Sequence, residues 1–437
     1  MKLEILKVGN DGEGIGYYNN RPVFVYYAYK GEIVDVNITK NKRGAYEGTI
    51  NKIIKPSLHR VEPKCPFYGK VGTTNLMHIS YEEQLRYKKD FVKFHFDKNL
   101  KEDILIEDTI KSPNEFEYRN KITVPVRLYK GKNKMGLYLR NTNIFFPIRH
   151  YIIHQPELDE AANDALLLMD KLNIEGYDDQ KRSGYVKNFS IRVNEKGEIQ
   201  FTFVLDKDID LTKLVSELVI ANKNIVSIYK TINDSRTNRD LLGGKLIKLY
   251  GEKYLKMTLN HNVFLLTPDS FFQINTKQAE TLFNTIIKYG NFKADEVVLD
   301  AYSGVGTIGT YISPFVKEVV AIEIVSKVVE ANIEANKINL RTNLIPLVGD
   351  VVEMVSKLNR KFDVMVFDPP REGLKEEVLK FILKQAPKRI IYTSCNPETL
   401  GTDLKVLTKK YKIDKVIPLD MFPQTSHTES ITFMSRK

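Results

Sequence analysis

Cysteine is scarce: Cys65 and Cys395 are the only two in 437 residues. They lie far apart, and a pair in a chain of this size is not a disulfide framework, so any cysteine function is reactive, metal-related or absent. Long apolar runs are missing as well. No stretch approaches the roughly 20 apolar residues that cross a bilayer, and the opening MKLEILKVGNDGEG has no apolar core of signal-peptide length. No membrane partner is expected, and the cytoplasm is the expected compartment. Internal repeats and low-complexity segments are absent. Acid is in deficit, with 55 Asp and Glu against 66 Lys and Arg, a net charge of +11. Such an excess suits a polyanionic partner, although a lysine-rich proteome would produce the same balance.

What is present divides into three parts, since the chain is too long for one ordinary core. Residues 1–56 carry short β-branched runs separated by glycine turns, the pattern of a small OB-like β-barrel. Lys40, Lys42, Arg43, Lys52 and Lys55 lie near Tyr26, Tyr27, Tyr29 and Tyr46. Basic and aromatic side chains so interleaved can bind phosphates and base faces separately. Residues 57–262 alternate hairpins and helices in a central α+β domain. A helix begins at Ser80, a good N-cap residue followed by acids. From residue 263 to 437 strands alternate with helices, which specifies a parallel, doubly wound sheet with ligands at the strands' carboxyl ends.

The chemistry-bearing residues fall at those ends. Asp300-Ala-Tyr302-Ser-Gly304-Val-Gly306-Thr-Ile-Gly309 is a strand-to-helix glycine loop, Glu323 ends the second strand and can accept ribose hydroxyls, and Asp350 follows the third. A glycine loop alone is weak evidence, but the three together suggest an adenosyl ligand. Asp368-Pro-Pro-Arg371 narrows the choice to S-adenosylmethionine enzymes that act on nucleobases. Methylating C5 of uracil then requires a thiolate that adds to C6 and a base that removes the C5 proton. Cys395 in Ser-Cys-Asn-Pro supplies the first. Glu429, 34 residues on, is a candidate for the second.

These stretches, with Pro268-Asp-Ser-Phe-Phe-Gln-Ile-Asn275 and Asp420 to Glu429, resemble the S-adenosylmethionine-dependent RNA 5-methyluridine methyltransferases, specifically those with an N-terminal TRAM barrel that modify large-subunit (23S) ribosomal RNA. The resemblance spans nearly the whole chain. It implies a multidomain α/β fold: a TRAM barrel, a central α+β domain and a Rossmann-like class I methyltransferase domain. It further implies Cys395 as nucleophile, Glu429 as base, and Gln273, Tyr302, Glu323 and Asp368 as cofactor contacts, beside Gly304, Gly306 and Asp350 of the loop and third strand. The helix after Ser80 is similar in place to one that packs on the catalytic domain in the family.

One departure stands out. Many relatives hold a [4Fe-4S] cluster on four cysteines, whereas here only Cys65 remains, with Val71, Thr74 and Gln155 in the other places. One thiolate cannot hold such a cluster, so no cluster and no metal are expected. The expected enzyme is a monomer that binds ribosomal RNA and extrudes its target uridine. The T-loop uridine of transfer RNA is the alternative substrate. From another class, the chain could be a non-catalytic RNA-binding protein, against which Cys395, Glu429 and the glycine loop stand together.

Overall fold

The computed structural model describes residues 1–40, 44–234 and 241–437. The N-terminal strands form a six-stranded sheet closed by its first segment. Lys2–Glu4 pairs with Ile33–Lys40 on one side, while Lys7–Val8 pairs with Gly14–Tyr18 at the other end of the strand order. The Leu6 N–H donates to Ile15 O and the Gly31 N–H to Ile5 O, stitching the bend. Leu3, Ile5, Val23, Val25, Val34 and Val36 fill the interior, as the alternation of each short run dictates.

The barrel tyrosines do not line one open basic face. Tyr29 is buried, with its hydroxyl donating to Glu83, and Tyr27 packs edge-on against Tyr68. Tyr26 is covered by Arg140 of the central domain. Tyr46, with Lys40 over its ring, is the one named tyrosine that keeps the expected pairing on the barrel itself. Lys42 and Arg43 lie outside the described residues. The tyrosines are diverted because the barrel packs on its neighbours, and a ring buried there removes more apolar area from water than a solvated one.

The central domain is a seven-stranded sheet in the order Ile247–Gly251, Ile225–Ile232, Ile199–Leu205, Val186–Val193, Lys121–Tyr129, Lys132–Tyr138, Phe145–Pro147. Helices Pro156–Lys171 and Thr212–Ala221 pack on the sheet through Leu158, Ala162, Leu166, Leu214 and Leu218. Cys65, Val71 and Met77 are buried in this same core beside Tyr151, whose hydroxyl meets that of Thr74. Gln155 precedes the first of these helices without a side-chain cap.

The third sheet runs Leu344–Val348, Glu318–Glu323, Val297–Ala301, Val364–Phe367, Arg389–Ser394, Glu429–Arg436, Tyr411–Leu419. The first five strands are parallel, and Glu429–Arg436 is antiparallel to both its neighbours. Strand order reverses around Val297–Ala301, so the crevice of this doubly wound sheet opens beyond Ala301 and Phe367. Helix Tyr81–Asn99 joins this body rather than the central sheet. Its Val92 and Phe96 share a core with Leu400 and Leu404 of helix Pro397–Leu407, and Ile106 and Ile110 bridge to Val416 and Leu419. Ser80 occupies the N-cap but makes no side-chain capping bond.

Candidate active site

Cys395 and Glu429 are brought together by strand register. Ser394 pairs with Ser430 in the antiparallel ladder, so the next position out sets Cys395 opposite Glu429 across the same pair of strands. The turn after Ser394 is locked locally. The Asn396 N–H donates to Ser394 Oγ at 3.1 Å, and the Asn396 side chain accepts from the Glu398 N–H at 3.2 Å, capping helix Pro397–Leu407. Asn396 Nδ2 also donates to Arg371 O at 3.0 Å, as does Thr399 Oγ1 at 3.1 Å. These bonds tie the cysteine turn to Asp368-Pro-Pro-Arg371, which leaves the neighbouring strand. Thr393 Oγ1 donates to Phe367 O across the same pair.

The electrostatics of the group are opposed. Burial and the Glu429 carboxyl push the Cys395 thiol up to about 11, Asp368 adding to them, while the Arg371 guanidinium pulls it down. Burial, reinforced by Asp368, holds Glu429 well above the usual carboxylate range against Arg371. Asp368 itself is raised to about 6 by burial. Cys395 is half-buried and Glu429 buried. Arg371 Nη2 lies 3.2 Å from His427 Nδ1, and burial with the Arg371 charge lowers His427 to about 4, so it is neutral. Burial raises all three groups and Arg371 opposes it at Cys395 and Glu429, an arrangement that makes this cluster a candidate reactive site.

A second cluster occupies the crevice. Glu323 accepts from the Gly304 N–H through Oε2 and from the Val325 N–H through Oε1, both at 3.0 Å. Gly304 has φ +54°, and a Cβ there would meet nothing within 4 Å, so the loop leaves open space at that point. Gly306, at φ +76°, instead lies against Asn332, 2.0 Å from where its Cβ would be, which is a packing demand. Tyr302 is held at φ 63°, a left-handed conformation that costs about 1–3 kcal/mol in a non-glycine residue and gathers at functional sites. Asp350 Oδ1 accepts from the Val352 and Glu353 N–H groups, so its visible work is to cap helix Val351–Lys357.

Two features of the crevice were not singled out from the sequence. Asp300 is fully buried; its Oδ2 accepts from the Gly309 N–H at 2.8 Å, while its Oδ1 is buried without a partner. Burial, with Asp368 and Glu323 adding to it, lifts Asp300 to about 7. Its place at the head of the loop was the available signal. Ile324, Val325 and Val348 are exposed apolar side chains beside Glu323, at the ends of two paired strands. An acid for ribose, apolar surface beside it, an open glycine and an orphaned carboxylate oxygen are what an adenosyl ligand with a charged amino-acid tail requires, so the residues fit S-adenosylmethionine.

Gln273 is buried, and the bonds around it link the central domain to the loop before Glu429. Asn120 Nδ2 donates to Gln273 O, and Asn275 Nδ2 donates to Met421 O in the loop that leads to Glu429. Phe271, two residues earlier, is 70% exposed beside buried Phe272, and its aromatic pair was the only sequence signal. No group of three or more His, Cys, Asp or Glu side chains with metal-binding geometry occurs among the described residues.

Known proteins extend the picture. Residues 80–437 match the family model described as tRNA (Uracil-5-)-methyltransferase, and residues 1–50 match the TRAM domain. The chain is 36% identical to an uncharacterized RNA methyltransferase of Clostridium tetani, covering 99% of this chain and 95% of that protein. It is 35% identical to a similarly named protein of Halalkalibacterium halodurans, over 99% and 95%. Among solved structures, the tRNA (uracil-54, C5)-methyltransferase of Pyrococcus abyssi in complex with S-adenosyl-L-homocysteine superposes with a TM-score of 0.80 at 24% identity, covering 99% of this chain and all of that one.

Proposed function

The chain belongs to the tRNA (uracil-5-)-methyltransferase family, and on that premise we propose that this RNA methyltransferase modifies C5 of a uridine in large-subunit ribosomal RNA, with Cys395 as nucleophile and Glu429 as base. The observation that carries the reading is the cross-strand placement of Cys395 opposite Glu429, with Arg371 acting on both. Bound S-adenosylmethionine supplies the electrophilic methyl group. Glu323 would hold its ribose, with Asp300, Tyr302, Gly304, Asp350, Asp368 and Gln273 arranged along the rest of the ligand.

Cys395 Sγ, as thiolate, forms a bond to C6 of the extruded uracil. The C5=C6 electron pair moves toward O4 and C5 becomes the nucleophile. Once C5 carries the methyl group, Glu429 removes its remaining proton, the C5=C6 bond reforms and Cys395 leaves. Arg371 favours the thiolate on the way in and the carboxylate on the way out. The resemblance of the sequence motifs to ribosomal RNA enzymes favours ribosomal RNA as substrate. Transfer RNA is the second reading, because the whole chain, barrel included, shares its fold with a protein named for uracil 54 of tRNA. Action as a monomer in the cytoplasm is part of the same proposal.

An RNA carrying 5-fluorouridine at the target tests the chemistry, since fluorine cannot leave as a cation. The wild type should stall as a covalent adduct and Cys395→Ala should form none. Normal methylation by the wild type without an adduct on the fluorinated RNA would remove Cys395 from the mechanism. Glu429→Gln should still transfer methyl but release RNA slowly. Mapping 5-methyluridine in ribosomal and transfer RNA of cells lacking the protein decides between the two substrates.

A further inference from the structure

A cavity of about 560 Å³ lies where Tyr26 of the barrel, Thr73, Arg119 and Arg140 of the central domain and His427 of the catalytic loop meet. That is within the range of ligand pockets. His427 forms part of its wall and contacts Arg371 on the side of Cys395, so the cavity opens next to the catalytic group. The mechanism above leaves it without a task.

Its chemistry is cationic. Arg119 Nε is buried and donates to nothing, and the guanidinium forms no ion pair among the described residues. The groups that act on its charge are the phenols of Tyr118 and Tyr151, not a carboxylate. A half-buried guanidinium without a counter-charge carries a desolvation cost that an incoming anion relieves. Its backbone is fixed on both sides: the Arg119 N–H donates to Ile153 O, and the Asn120 N–H to Ile274 O. Arg140 stacks on Tyr26 and forms no ion pair among the described residues, although its charge reaches the buried Glu13 carboxyl. Asp11 is the one acid in the lining, against two arginines, and Tyr138 offers an exposed ring.

On the reading that the substrate is RNA, we propose that this cavity seats the backbone adjoining the extruded uridine, with a phosphodiester on Arg119 and Arg140. Turning a base out of its stack rotates the nucleotide about its own phosphates, so those phosphates must be held beside the pocket. Phosphate contacts set position and register without reading sequence, and a planar guanidinium fork suits two phosphate oxygens. The same site could take a different anion, the carboxylate of the cofactor, and the test separates the two.

The probe is a short RNA hairpin carrying the unmodified target uridine, with one neutral methylphosphonate linkage walked through the positions flanking it. At one linkage the substitution should raise KM for the wild type about tenfold. With Arg119→Gln, KM for the unsubstituted hairpin should rise by a similar factor, the salt slope of binding should fall by about one, and the same methylphosphonate should cost nothing further. Arg119→Lys should recover part of the loss, and Arg140→Gln runs the same cycle if Arg119→Gln melts at a lower temperature. Equal methylphosphonate costs in wild type and both variants at every linkage overturn the proposal. So does a loss that falls on S-adenosylhomocysteine affinity measured without RNA, which assigns the cavity to the cofactor. A wild type that methylates the hairpin while the cycle shows no coupling sinks this inference alone. A wild type that makes no 5-methyluridine in any RNA takes the functional reading down with it.

Discussion

At Cys395 burial and two acids work against the thiolate, and one arginine works for it. A thiol at about 11 is almost wholly protonated at neutral pH, so adduct formation should quicken as pH rises toward that value. Arg371 lowers the thiol, so removing it raises the thiol further and moves the same rise to higher pH. For Arg371→Gln the rate of adduct formation on 5-fluorouridine RNA at pH 8 should fall at least about tenfold, the effect of one unit from a neighbouring opposite charge, and its rise should level off at a higher pH than the wild type's. A variant with the wild-type profile would show that Arg371 does not act on the sulfur. Glu429 faces the converse problem. Burial and Asp368 favour its neutral form while Arg371 opposes them, so in the proposed mechanism positive charge in the crevice is what lets it act as a base.

One scale up, the proposed catalytic residues depend on elements that the chain supplies from far away. The loop from Asp420 to Thr428 is pinned by helix Tyr81–Asn99: Lys88 pairs with Asp420 and donates to Phe422 O, while Gln84 and Gln424 exchange hydrogen bonds at 3.0 Å. Asn75 receives the Ser426 N–H and donates to Ser426 Oγ and to Asp11 O, joining the same loop to the barrel. Lys88 and Asp420 are both fully buried. Cutting one side leaves a bare buried charge, so Lys88→Ala should lose roughly 3–5 kcal/mol of stability in urea unfolding. Replacing both, by Lys88→Met with Asp420→Leu, should return most of it. A loss below about 1 kcal/mol for the single change would mean that the pair is not desolvated as described.

For the molecule as a whole, net charge predicts salt-sensitive RNA binding, each neutralised phosphate adding nearly one to the log–log slope. Lys40, Lys52 and Lys55 are exposed on the barrel, although most of the tyrosines once expected beside them are turned inward. Replacing the three by glutamine should lower the slope by about two to three and raise KM for long RNA, with kcat unchanged. An unchanged slope would exclude this face of the barrel from RNA contact. The three bodies otherwise meet around the cavity beside His427, so RNA held by barrel or central domain would lie next to the proposed catalytic loop.

Much of this protein was determined by residues that speak locally. Strand-and-helix alternation specified the doubly wound sheet, because period-2 and period-3.6 patterns are written into neighbouring residues, and the motifs at strand ends marked Cys395, Glu429 and Glu323 as the candidates for its chemistry. Asp300 was legible as part of a loop but not as an orphaned carboxylate, since burial is a property of what packs above it. Only the tertiary structure decided that Glu429 stands opposite Cys395, because register is set by the pairing of strands and not by their separation in sequence. Only packing decided that Tyr29 goes inward, that a helix from residue 81 clamps a loop more than 300 residues away, and that Arg119 is half-buried, its Nε enclosed, with no counter-charge. Long-range contacts of this kind depend on loop closure and on which surfaces meet, and no local pattern encodes them.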